Sequence, residues 1–138
     1  MKLSNRKTNH MFDLNAYLAD DSNLREDCLA SIRKAQENGE FWAEAWHGKI
    51  PMMRQMKRIK CADGLIFSAQ ASEYTYCSPR ENIGPWSAVE IGFPSQKVDE
   101  FMAYAEEADK PTQTVYGWVP VEVVEAVVEK HGGFESAV

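Results

Sequence analysis

Apolar residues recur along this chain with two different periods. From 11 to 39 the spacing is helical. Met11, Leu14 and Leu18 stand three and four apart in MFDLNAYLADD and predict a short helix. In SNLREDCLASIRKAQENGE, Leu24, Cys28, Ile32 and Ala35 line one face of a longer helix. Asn23 and Glu26 have the spacing of a capping box, and Gly39 supplies a left-handed stop. Phe41, Trp42 and Trp46 then cluster in FWAEAWHG, either extending the helical region or plugging the end of a sheet.

The period changes to two in IKCADGLIFSAQAS. A two-residue turn at Asp63 and Gly64 would pair Lys60 with Phe67 and turn a charge toward the core. A three-residue turn, Ala62, Asp63 and Gly64, pairs Cys61 with Leu65 and Ile59 with Phe67, so that four apolar side chains share a face. Such a loop needs a left-handed residue at its end, and Gly64 fits. WSAVEIGF is the next strand, with Val89, Ile91 and Phe93 inward and Trp86, Ala88 and Glu90 outward. Pro94 ends it because proline cannot donate to a ladder.

Beyond Pro94 the period is helical again. Ser95 is placed to cap QKVDEFMAYAEEA, where Val98, Phe101, Met102 and Ala105 form a stripe. DKPTQTVYGWVP reads as a loop or a short edge strand. Pro120 suits the first turn of a helix in VEVVEAVVEKHGG. There Val123, Val124, Val127 and Val128 face inward, Glu122, Glu125 and Glu129 face outward, and Gly132 stops the helix. The product is one α+β domain over 1–138, a small antiparallel sheet of three or four strands with helices packed on one face. Residues 1–10 are flexible, 11–50 helical, 53–94 the sheet, and 95–134 helix, loop and helix.

Composition narrows the class. The 138 residues suffice for one core, and no apolar run reaches the ~20 residues that span a bilayer. No apolar segment opens the chain as in a secretory signal. Cys28, Cys61 and Cys77 are scattered and odd in number, which suits a reducing cytosol. The net charge of -6 is uneven: 11 Lys/Arg against 8 Asp/Glu in 1–60, but 4 against 13 in 61–138. That acidity argues against duplex nucleic acid as a partner, with the basic run RQMKRIK the one exception, readable also as a solvated strand face.

The expected register gathers Arg58, Lys60, Ser68, Gln70, Ser72, Tyr74, Trp86 and Glu90 on the sheet face away from the core. Tyr76, Arg80 and Asn82 lie on the adjoining loop, and Tyr116 and Trp118 come from the late segment. Aromatic faces can stack a flat ring while arginine and amide groups hold phosphate or ribose. The ligand-binding candidates are Arg58, Gln70, Tyr74, Tyr76, Arg80, Asn82, Trp86, Glu90, Tyr116 and Trp118. Alternatively this is the wet outer face of an antiparallel sheet.

No catalytic residue, cofactor or metal is assigned. GxSxG, HExxH and paired CxxC are missing, and His10, His47 and His131 stand at unrelated places. A hydrolase or transferase using Glu90 or Cys77 is the weakest alternative.

The stretches SAQASEYTYCSPREN, GPWSAVEIGFPS and PTQTVYGWVPVEVVEAVVEKHGGF, within 57–134, resemble small accessory proteins encoded by bacteriophages and prophages. The resemblance implies a non-enzymatic protein, cytoplasmic in a bacterial host, that counters a host defence system. It would do so by capturing a small nucleotide-like ligand, as anti-Thoeris sponge proteins do, or by inhibiting a host defence protein, as anti-CRISPR proteins do. No site residue carries over from either group. No membrane partner is implied, and self-association into a homo-oligomer stays open.

Overall fold

A computed structural model describes residues 11–40 and 55–138. The expectations for 1–10, for Phe41, Trp42, Trp46 and His47, and for Arg54, the first residue of the basic run, lie outside the described residues. The fold is α+β. Strands Ile59–Cys61 (β1), Ile66–Gln70 (β2), Ala88–Gly92 (β3), Val115–Pro120 (β4) and Phe134–Ala137 (β5) form one antiparallel sheet in the order β4-β3-β2-β1-β5. Five strands thus replace the three or four expected. Helices Leu14–Ala19 (α1), Glu26–Glu37 (α2) and Val121–Lys130 (α3) accompany it, with short 3-10 helices at Asp21–Asn23 and Asp99–Tyr104.

The β1–β2 register is the one that alternation and Gly64 predict. Ile59 pairs with Phe67, and the Cys61 N–H donates to the Leu65 carbonyl at 2.8 Å. Gly64 has φ +102°, left-handed as required. Ile59, Cys61, Phe67, Ala69, Val89, Ile91, Tyr116 and Val119 form the buried face of the sheet. α3 contributes Val121, Val124, Val127 and Val128 to the same core, and Phe101 packs edge-on to Phe67 with ring centroids 5.6 Å apart. Each such side chain removed from water contributes about 1.5–3 kcal/mol.

Several local expectations fail for identifiable reasons. The Asn23–Glu26 cap does not form. Asn23 sits in a 3-10 turn with its amide on the Tyr17 carbonyl, Leu24 bridges Met56, and the N-cap of α2 is Arg25. Ser95 caps no helix either. Its hydroxyl accepts from the Ile66 N–H and its own N–H donates to the Ile66 carbonyl, which prolongs the β2 edge of the sheet. The helix expected after it shrinks to Asp99–Tyr104 because the next residues join β4: Ala105 bridges Tyr116, and the Glu106 N–H donates to the Val115 carbonyl.

Glu125 and Glu129 do more than face water. Their carboxylates accept from the backbone N–H groups of Leu14 and Phe12, at 3.0 and 3.2 Å, and so anchor the start of α1 on α3. β5 was not expected at all. It pairs with β1, and the backbone of Val138 exchanges two hydrogen bonds with Arg58, both 2.8 Å.

Candidate functional site

β2 and β3 form the floor of a groove on the sheet face opposite the core. The groove measures about 660 Å³. Ser68, Gln70, Glu90 and Gly92 lie along its floor, because strand alternation points them away from Phe67, Ala69, Val89 and Ile91. Arg25, Lys57 and Arg58 line it as cations, and Tyr74 and Phe93 as exposed rings.

Phe93 was expected in the core and is instead 51% exposed. Its φ of +49° rotates the backbone out of the extended conformation at the end of β3, so the alternation breaks one residue before Pro94. Its carbonyl accepts from Arg58 Nη2, which fixes that guanidinium at the groove rim and leaves its other N–H groups available. Lys57 pairs with Glu26 at 3.4 Å and Arg25 with Asp27 at 3.0 Å.

Other polar residues of the groove have structural partners. The Gln70 amide is a clasp: its Oε1 accepts from the Met56 N–H and its Nε2 donates to the Met56 carbonyl, at 2.9 and 3.0 Å. Glu90 accepts from the Tyr76 N–H at 2.9 Å. Ser72, expected on the open face, is buried beyond the end of β2; its hydroxyl accepts from the Tyr74 N–H, and its carbonyl accepts from the Cys77 thiol. The Tyr74 ring is 61% exposed, and its hydroxyl hydrogen-bonds Glu73, whose carboxylate raises the phenol above its ordinary value.

Three of the ten candidates play other parts. Trp86 is buried, not displayed. β3 begins only at Ala88, and the Asn15 side chain clasps the Trp86 backbone with bonds of 2.7 and 3.0 Å. The indole N–H donates to the Glu81 carbonyl. Tyr116 is also buried: it pairs with Ile91 on the core side, packs against Phe101, and donates its hydroxyl to the Pro111 carbonyl. Asn82 accepts from the Glu73 N–H at 2.9 Å and holds the loop between β2 and β3 together. Cys77 is buried with its thiol on carbonyl oxygens, an inert position rather than a nucleophile's.

The remaining candidates form a second group. Between Val89 and Ile91, β3 opposes β4 with a register shift, so Gly117 and Trp118 together face the single residue Glu90. This bulge puts both off the core side while Tyr116 and Val119 stay in it. Trp118 adopts φ +51° there and is 52% exposed. Tyr76 stacks on it, and Arg80 lies 5.8 Å from the centre of the Tyr76 ring. A smaller hollow of about 340 Å³ beside this stack is lined by Tyr76, Tyr104, Glu106, Val115, Gly117 and Trp118. The bulge is what alternation missed. A glycine inside a strand pattern was the available signal.

Among the described residues no His, Cys, Asp and Glu side chains cluster as a metal site, and no helix is long and apolar enough to cross a membrane. The molecule is thus an α+β protein with a cation-rimmed groove over the open face of its sheet. No protein family, curated protein or solved structure matches the chain.

Proposed function

We propose that the protein is a non-enzymatic binding protein that captures a small nucleotide-like ligand in the groove over β2 and β3. One observation carries this reading: Arg58 and Lys57 share a 660 Å³ concavity with the exposed rings of Tyr74 and Phe93. Cations can hold phosphate by charge-assisted hydrogen bonds, and an exposed ring can stack a base. The volume lies within the range of small-molecule sites. The proposal extends to a role inside a bacterial host, where removing a nucleotide signal would blunt a defence system.

The test is a thermal-shift screen with cyclic nucleotides and ADP-ribose derivatives, followed by calorimetry. A ligand at 100-fold its Kd should add about 2.7 kcal/mol of stability. Arg58→Ala should weaken binding by at least ~1.5 kcal/mol, the low end for a charged hydrogen bond. No stabilisation by any nucleotide, or equal affinity for the variant, would overturn the proposal.

A further inference from the structure

We infer that the hollow beside β4, walled by Tyr76, Tyr104 and Trp118, binds a methylated ammonium group. This site is separate in chemistry from the groove and does not depend on the nucleotide reading. Three aromatic side chains border a space of about 340 Å³, at the small end for a ligand site and suited to a headgroup rather than a dinucleotide. Aromatic faces carry negative potential and attract a cation, most strongly when its hydration is weak, as in quaternary ammonium groups. Arg80 already holds its guanidinium 5.8 Å from the Tyr76 ring centre and is not in the lining of the hollow, so Trp118 and Tyr104 are the rings left for a ligand cation.

The charge at the hollow has the matching sign. Glu106 lines it, and its carboxylate has no hydrogen bond or ion pair with any described residue. The neighbouring Glu107, by contrast, is neutralised by Lys110 at 3.5 Å. A phosphate entering here would meet Glu106 directly, so the hollow discriminates against the ligand proposed for the groove.

Backbone geometry adds an independent reason. Trp118 is a bulky residue held at φ +51°, a left-handed conformation that strains non-glycine residues. The strain does not serve burial, since the indole is 52% exposed. Gly117 makes the arrangement possible: a Cβ there would sit 3.3 Å from the Tyr76 Cβ, so any larger residue would press the stack apart. The bulge thus holds a half-exposed ring against Tyr76 beside the hollow.

The experiment is a titration of the full chain, followed by the NMR signal of the Trp118 indole N–H, assigned through Trp118→Phe. Tetramethylammonium and choline should shift that signal saturably and leave the buried Trp86 signal in place. The uncharged isostere 3,3-dimethylbutanol should bind roughly 5-fold more weakly or worse. Glu106→Gln, an exposed change that leaves folding intact, should weaken choline binding several-fold and flatten its salt dependence. A peptide bearing trimethyllysine, compared with free choline, identifies the source: tighter peptide binding means a partner's side chain, and tighter choline binding means a free metabolite. Equal affinity for the neutral isostere, no saturable shift with any methylated ammonium, or no effect of Glu106→Gln would each overturn the inference.

Discussion

The rings of Trp118 and Tyr76 stack with centroids 5.0 Å apart and planes inclined by 26°. The same two residues are joined through the backbone, where the Trp118 N–H donates to the Tyr76 carbonyl at 3.0 Å. The loop after β2 is therefore strapped along the edge of β4. Arg80 lies outside this strap and is exposed. Arg80→Ala should cost less than about 1 kcal/mol in a denaturant titration, as for an exposed cation–π pair. It should also leave nucleotide affinity unchanged, because Arg80 does not line the groove. A large loss of stability would make Arg80 an internal clamp instead.

Trp86 should behave as a core residue. Trp86→Ala removes a buried ring and strands the Glu81 carbonyl, so a loss of about 3–5 kcal/mol is expected. Gly84→Ala should also destabilise, since a Cβ at that position would lie 2.7 Å from the Trp86 ring. Urea unfolding of both variants checks this. A loss below about 1 kcal/mol for Trp86→Ala would mean that the ring is dispensable to the core.

Gly64 separates backbone strain from crowding. No atom lies within 4 Å of a Cβ built there, so space is not the constraint. Gly64→Val should still cost more than ~1 kcal/mol, because a β-branched residue resists positive φ. Gly64→Asn should cost less than Gly64→Val, as asparagine tolerates the left-handed region better. Equal, small losses would place the strain elsewhere.

The turn also carries a pH-dependent contact. Asp63 accepts from the Leu65 N–H and meets His131 Nδ1 at 2.7 Å. The backbone bond first, and the His131 contact second, hold the Asp63 carboxyl below its ordinary value. A carboxyl depressed in the folded state adds stability that is full above its unfolded pKa and is lost as pH falls through the folded one. The Tm difference between the wild-type chain and Asp63→Ala should therefore shrink as pH falls below about 5, where the carboxyl takes up its proton. A difference that grows toward low pH contradicts this assignment.

How far the sequence could be read depends on how local each signal is. The Ile59–Phe67 register was legible because only one turn length puts four apolar residues on one face, and Gly64 suits that turn. α3 was legible through its valine stripe despite poor helix propensity. β5 was not: the polar segment FESA is a strand only because β1 has an open edge to offer it. Phe93 and Trp118 were misplaced or unplaced because positive φ at non-glycine residues resets alternation and leaves no mark in composition. The groove floor followed from the register, and Arg58, Gln70, Tyr74 and Glu90 line one concavity. Trp86, Tyr116 and Asn82 did not join them, since strand ends and loop clasps decide those positions.

The order of strands also sets a sequence of events in time. The β1–β2 hairpin joins near neighbours and can close within microseconds. β5 reaches β1 only after the chain has passed through β3, β4 and α3, so Ile59 waits for Ala137 from the far side of the sheet. Contacts between such distant positions slow folding. Until they form, the outer edge of β1 offers unpaired backbone groups to any other extended chain. Refolding at rising protein concentration should accordingly lose yield to aggregation, and a separately supplied peptide of the β5 sequence should compete for that edge while it is open.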